Sequence, residues 1–369
     1  MISTLFFEIT SFFYYLAFIV AILFFFSNQK INLHLIKLYG FIGFLLLGSV
    51  FSPFFDFKFF LNAIGFLFVS MILSHFILSY NDSYISSNYV IRIINLIITL
   101  IIIVALIFTD GLYYLSIFDF NSFYLGISNF TGLTKQSFGF VLLFPLLYVY
   151  YNKINYNKLI YFIIILVILL FIIGVRSIVF GLISVFLISL FRQRLKYTIA
   201  YSILFFHIIL ILILLNYQSF DFIFQLDPRW GMQAVSVFTS EKYLLGIGLG
   251  GWDEYAVSNL TELLNYVEYF PVWLNYSSNS YIPTTLESSL FQLNAEMGTI
   301  STIILYCYFI YLIVKNISIP YYDLKFFSIL NLVLIYASFY QDILFQPIWY
   351  IVFSIMIGFH FKYKFQHKQ

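Results

Sequence analysis

The sequence predicts an all-α polytopic membrane protein with about eleven (10–12) transmembrane helices and one large extracytoplasmic loop between two late helices. A single membrane domain covers residues 1–369, and the loop at 217–289 is inserted in it. Three observations predict this class. Of 369 residues, 62% are hydrophobic and 9% charged, against roughly 25% charged in an ordinary soluble domain. Apolar runs long enough to cross a bilayer recur along the chain. Lysine and arginine are divided unevenly between the stretches that join those runs.

A hydrocarbon layer about 30 Å thick takes about 20 helical residues at about 1.5 Å each. Runs of that kind are expected at approximately 5 to 26, 31 to 51, 59 to 80, 89 to 109, 134 to 151, 159 to 174, 176 to 191, 197 to 216, 289 to 314, 324 to 340 and 343 to 360. The opening MISTLFFEIT carries Glu8 and no basic residue, so a cleaved signal peptide is not expected. The stretch from Ile160 to Phe191 is 32 residues interrupted by one charge, Arg176. As one helix it would measure roughly 48 Å, too long for an upright span. Its flanks, Lys153 and Lys158 before and Arg192, Arg194 and Lys196 after, are both basic, so the chain is expected to turn back at Gly174-Val175-Arg176-Ser177.

Basic loops are retained in the cytoplasm. With the long loop outside, 13 of the 18 basic residues fall inside, among them Lys30, Lys37, Arg92, Lys153, Lys196, Lys315, Lys325, Lys362 and Lys364. The remaining five, Lys58, Lys135, Arg176, Arg229 and Lys242, fall outside. The opposite orientation inverts the bias. The C-terminus is therefore expected in the cytoplasm, and the count of spans puts the N-terminus outside.

The net charge of +2 leaves no basic field that would gather nucleic acid. The 49 Phe and 32 Tyr are residue types towards which an AT-rich genome drifts, and they are not read as a ligand cage. The lone cysteine, Cys307, excludes an intrachain disulfide, and five histidines without HxxxH or HExxH spacing offer no metal site. No cofactor is expected.

Dense polar chemistry is confined to the 73 residues from Tyr217 to Ser289, where eight acids face only Arg229 and Lys242, a net charge of −6. Loops this long are functional or disordered, and Trp230, Trp252 and Trp273 argue for order. Arg229, in Asp227-Pro228-Arg229-Trp230, reads either as a bidentate phosphate ligand or as a partner of Asp227, Asp221 or the Trp230 ring. Arg176 and Lys135 read as functional cations at the outer membrane edge or as anchors for lipid headgroups. Gly246-Ile247-Gly248-Leu249-Gly250-Gly251 spells GxGxxG. Outside the membrane and without a βαβ unit it is expected to serve a tight turn or close approach of backbone, not a dinucleotide. Glu287 reads as a general base or as an acid favoured at a helix N-terminus. Glu296 lies roughly 10 Å inside the expected span from 289, where a carboxylate needs a partner or a water-filled cavity. On a regular helix the two acids point about 180° apart.

Three blocks, taken in order, resemble a known family. They are Gly174-Val175-Arg176-Ser177, then Arg229-Trp230 with Leu245 to Gly250, then Glu287-Ser288-Ser289-Leu290 through Glu296-Met297-Gly298. They are similar to blocks in the membrane family of bacterial O-antigen and capsule repeat-unit polymerases (Wzy) and O-antigen ligases. The resemblance covers about the second half of the chain. Val175 replaces that family's usual Ser before Arg. Ligases of the family typically carry His-Asn where this chain has Glu287-Ser288, so the resemblance implies a polymerase. It implies a metal-independent, inverting glycosyltransferase of the bacterial cytoplasmic (inner) membrane that joins undecaprenyl-pyrophosphate-linked oligosaccharides at the outer face. Membrane lipids, a chain-length regulator and a flippase would be its partners, with no nucleic acid. The implied roles are catalytic for Glu287, with Glu296 in reserve, and pyrophosphate-binding for Arg176, Arg229 and Lys135, beside the loop backbone of Gly246, Gly248 and Gly250. Ligase, lipid-linked oligosaccharide flippase and accessory subunit of an assembly complex are the alternatives. The long external loop and the absence of internal repeats weigh against a transporter.

Overall fold

The computed structural model describes residues 32–79, 113, 122, 176–190, 193–217, 233, 236, 237, 239–259, 288–340 and 347–366. The expected spans at 5 to 26, 89 to 109, 134 to 151 and 159 to 174 lie outside these. Among the described residues the elements are helical: α1 (Leu33–Leu47, continued by a 3-10 turn Gly48–Phe51), α2 (Phe57–Ser79), α3 (Arg176–Leu190), α4 (Gln193–Tyr217), α5 (Trp252–Ser258), α6 (Ser289–Met297), α7 (Thr299–Ile317), α8 (Tyr322–Ala337) and α9 (Pro347–Gln366). Among the described residues three segments, Leu33–Phe51, Phe57–Ser79 and Thr299–Ile317, are long and apolar enough to cross a membrane. The chain is thus a helical, membrane-associated protein.

For the expected spans that fall on described residues, hydropathy places most boundaries within a few residues, because an apolar run and its polar flanks are what a lipid-facing helix requires. Asn32 caps α1 by accepting from the His34 N–H at 2.9 Å, and Asp56 caps α2 by accepting from Lys58 at 2.8 Å and Phe59 at 3.2 Å. The exception is the expected span 289 to 314. The structure divides it at Gly298, whose φ of 78° ends the nine-residue α6 before the 19-residue α7 begins.

α8 is the centre of the bundle, buried almost continuously from Leu324 to Phe339. Lipid supplies no hydrophobic drive between helices, so small residues and polar contacts decide how closely they approach. Gly181 of α3 leaves no room for a side chain, since a Cβ there would lie 2.4 Å from the Val333 carbonyl oxygen of α8. Gly358 lets α9 meet α2, where a Cβ would lie 2.7 Å from Ile77 Cβ. α1, α2 and α9 are tied by buried hydroxyls. Tyr39 Oη lies 2.7 Å from Ser74 Oγ and 3.0 Å from Ser70 Oγ, and Ser70 Oγ lies 2.5 Å from Ser354 Oγ.

The two ends of the bundle differ chemically. At one end the C-terminal turns of α7 and α9 meet the first turns of α1 and α8. His360 Nδ1 lies 2.6 Å from Asn316 Oδ1, the Tyr363 hydroxyl donates to Asp323 Oδ2 at 3.2 Å, and the His34 ring stacks 6.1 Å from Phe361. Lys37, Lys315, Lys325, Lys362 and Lys364 belong to these turns. Lys196 of α4 comes near enough to Lys325 for their charges to repel. At the other end lie the α1–α2 loop with Lys58, the start of α7, and the glycine-rich turn after Lys242. The first group contains only lysines expected inside, and the second Lys58 and Lys242, both expected outside.

Candidate functional site

α6 starts and stops for local reasons. Ser288, extended at φ −149° and ψ 117°, accepts from the Phe291 N–H at 3.4 Å and so provides the N-cap. The N-cap is therefore Ser288 and no acid occupies the first turn, while Glu287 itself lies outside the described residues. The helix also begins after Glu287, so the 180° relation expected between Glu287 and Glu296 does not apply. Gly298 closes the helix by donating its N–H to Asn294 O at 3.1 Å.

The direction of α6 follows from its partners. Ser288 Oγ and the Leu290 N–H both donate to Ser338 O at 3.2 Å, and the Tyr306 hydroxyl lies 2.8 Å from Ser338 Oγ. Tyr306 is seven residues along α7, roughly 10 Å from its start. α6 therefore begins at that depth, climbs to Met297, and hands over to α7, which runs back down. Instead of the first part of a continuous span, it is a short re-entrant arm, and each of its residues is buried.

Three polar residues face outward from this arm into the protein. Gln292 and Glu296, one helical turn apart, share a face. Gln292 Nε2 donates to Glu296 Oε1 at 3.0 Å, and Glu296 is fully buried. On another face Asn294 Nδ2 donates to Ser236 Oγ at 3.1 Å and Ser240 Oγ at 3.2 Å. Ser236 Oγ in turn donates to Phe291 O at 2.5 Å, and Gln233 Nε2 to Phe339 O at 2.9 Å. Gln233, Ser236 and Ser240 follow helical spacing and are buried, so this part of the long loop is packed into the bundle. From α4 comes His207, whose Nδ1 lies 3.1 Å from the Tyr340 hydroxyl and whose ring stacks on Phe339 at 5.0 Å.

The glycine-rich turn locks the upper end of α6. The Ile247 N–H donates to Ala295 O at 2.8 Å and the Gly248 N–H to Glu296 O at 3.1 Å. From the opposite side Phe54 donates to Ile247 O at 3.1 Å, Asp56 to Leu249 O at 3.2 Å, and Ser52 Oγ to Gly246 O at 2.8 Å. The turn is thus a middle layer between the α1–α2 loop and the arm. Gly246, Gly248 and Gly250 all have positive φ, and Gly246 has no space for a Cβ. The N–H groups of residues 246, 247, 248 and 251 are all spent on protein carbonyls. They cannot cradle a pyrophosphate as a dinucleotide fingerprint does.

Of the residues expected to act, the structure brings Glu296 together with Gly246 and Gly248. Arg176 is the first residue of α3. One turn on, Phe180 packs 5.2 Å from Tyr340, so the first described turn of α3 lies at the level where α6 begins. Glu287, Arg229 and Lys135 lie outside the described residues. Gln292, Asn294, Gln233, Ser236 and His207 were not singled out from sequence. The i, i+4 pair Gln292 and Glu296 in an otherwise apolar run was the available signal, whereas the others arrive from distant elements.

Buried polar groups at membrane depth are costly and are retained where they are bonded or functional. Among the described residues Gln292 Oε1 and Ser177 Oγ are buried without a hydrogen-bond partner. Also among the described residues, no group of three or more His, Cys, Asp or Glu side chains comes together to hold a metal ion. The arrangement supplies a carboxylate, amides and hydroxyls, all buried, a set able to hydrogen-bond hydroxyl groups and to take up a proton. No family model, curated protein or solved structure matches this chain.

Proposed function

We propose that the protein is a polysaccharide polymerase, a glycosyltransferase that joins polyprenyl-pyrophosphate-linked oligosaccharide repeat units at the outer face of the bacterial cytoplasmic membrane. The observation that carries this reading is Glu296. A wholly buried carboxylate, held by Gln292 near the upper end of a short arm of the bundle, supports the reading of Glu296 as the base for a lipid-borne substrate. The end that carries the arm is also the end opposite the lysine-rich turns, and basic turns favour the cytoplasm.

The reaction breaks the bond from the donor sugar C1 to the pyrophosphate oxygen, and the electron pair leaves with the pyrophosphate. A hydroxyl of the acceptor's terminal sugar attacks C1 from the opposite face, which inverts the configuration. Its proton passes to the Glu296 carboxylate. Arg176, Arg229 and Lys135 meet the charge that develops on the leaving group, the electrostatic role in which fixed cations lower such barriers most. No metal is required in this scheme.

The test is a purified assay with lipid-linked repeat units. Wild-type protein is expected to produce a ladder of polymer, and Glu296→Gln, which keeps shape and removes the base, is expected to lose about 10²-fold or more in rate. Failure of the wild type to extend any lipid-linked unit overturns the function. A wild-type rate in Glu296→Gln overturns the assignment of the base.

A further inference from the structure

We infer that Gln292 and Glu296 form a two-point acceptor subsite that reads adjacent sugar hydroxyls, an inference that rests on the proposed polymerase reaction. Gln292 is 5% exposed. Its Nε2 is committed to Glu296 Oε1 at 3.0 Å, which fixes the rotation of the amide and leaves Oε1 as an acceptor aimed away from that bond. This Oε1 has no hydrogen-bond partner among the described residues. A buried amide oxygen left unmatched costs free energy unless a ligand completes it. What completes an acceptor is a donor, and a sugar hydroxyl is such a donor.

The pair's chemistry divides the work. The attacking hydroxyl donates to Glu296 and surrenders its proton there as C1–O bond formation proceeds. A neighbouring hydroxyl on the same ring donates to Gln292 Oε1 and keeps its proton. Two acceptors one helical turn apart on a rigid, fully buried arm fix the ring in one rotation, so only one hydroxyl of the acceptor faces the donor carbon. Linkage selectivity follows from the amide, and proton transfer from the carboxylate. The arm cannot tilt to accommodate a misplaced ring, because Gly246 and Gly248 clasp its upper end and Ser338 holds its lower end.

The experiment uses full-length protein and synthetic lipid-linked acceptors, with the attacking position identified by linkage analysis of the product. In one acceptor the hydroxyl next to that position is replaced by hydrogen. With wild-type protein the deoxy acceptor is expected to lose about tenfold in kcat/KM, the consequence of leaving one buried polar group unmatched. Gln292→Met, similar in length but without the amide, is expected to lose about tenfold with the natural acceptor and to show no further penalty with the deoxy one. Equal use of both acceptors by the wild type overturns the subsite without recourse to any variant. A deoxy penalty that persists in Gln292→Met places the recognition elsewhere. In both of those outcomes polymer still forms, which separates failure of this subsite from failure of the polymerase reading.

Discussion

The backbones of Gly246 and Glu296 touch so closely that a methyl group at position 246 would stand 2.3 Å from the Glu296 carbonyl oxygen. The candidate carboxylate is therefore positioned by a residue fifty places away in sequence that has no side chain at all. The conformation at Gly246, φ 81°, is itself one that side chains rarely adopt. Gly246→Ala is expected to cost about 1–3 kcal/mol in backbone strain alone, and more for displacing the end of α6. Gly40 of α1 is the control, since nothing lies within 4 Å of a Cβ built there. In a helix interior Gly40→Ala is expected to be neutral or to stabilise by up to about 1 kcal/mol. Thermal unfolding in detergent, followed by helical circular dichroism, checks both. Equal midpoints for the two variants would show that the clasp does not constrain the arm.

The buried hydroxyl cluster makes a different prediction. Tyr39 touches Ser70 and Ser74, but Ser74 Oγ also donates to Ser354 O at 2.9 Å and Ser70 Oγ keeps its contact with Ser354. Tyr39→Phe thus removes hydrogen bonds without stranding the serines. Its cost is expected to be about 0.5–1.5 kcal/mol, in line with the modest polar couplings found between membrane helices. Polymerisation is expected to be unaffected. A loss of several kcal/mol in the same unfolding assay would mean that the three serines cannot satisfy one another.

What the sequence made legible was what hydropathy and charge control. α3 and α4 end and start within a few residues of the expected bounds 191 and 197, and the described lysines segregate to the ends their loops imply. The break at Gly298 was hidden for a physical reason. Glycine is common inside membrane helices, and the apolar run continues on both sides of it. Only the turn at 244–248, packed against Gly298 so that a Cβ there would lie 2.2 Å from Leu244 O, makes the break obligatory. GxGxxG was legible as a close backbone approach, but not what it approaches. His207, Gln233 and Ser236 carry no motif and gather around α6 only through tertiary packing.

The division between a lysine-rich end and a glycine-turn end predicts opposite accessibility. Leu244 is 78% exposed beside the turn, and Lys364 is exposed at the far end of α9. In a Cys307→Ser background, Leu244→Cys is expected to react with a membrane-impermeant thiol reagent in intact cells. Lys364→Cys is expected to react only in inverted vesicles. Labelling of both from the same side, or with the sides exchanged, would overturn the orientation and remove the site from the outer face.

The remaining prediction ranks the charged groups that the proposed reaction calls on. If a pyrophosphate leaves the donor sugar, Arg176→Ala and Arg229→Ala should each abolish polymer while the protein stays folded and inserted. Lysine should rescue either poorly, because an ammonium supplies a point charge without the planar fork that grips two oxygens. Full rescue by lysine at both positions would reduce their role to charge, and normal ladders from both alanine variants would make them anchors or structural partners. The two glutamates are separated by the same assay. Ser288 caps α6, so Glu287 is not needed to start that helix. Glu287→Gln is accordingly expected to fall within about 0.5 kcal/mol of wild type in stability, and any effect it has on polymer reports chemistry, not folding. With Glu296 as the base, Glu287→Gln should retain far more activity than Glu296→Gln. The reverse ranking would move the base to Glu287, and Glu287→Asp would then be expected to keep partial activity, since it preserves an ionisable group at shorter reach.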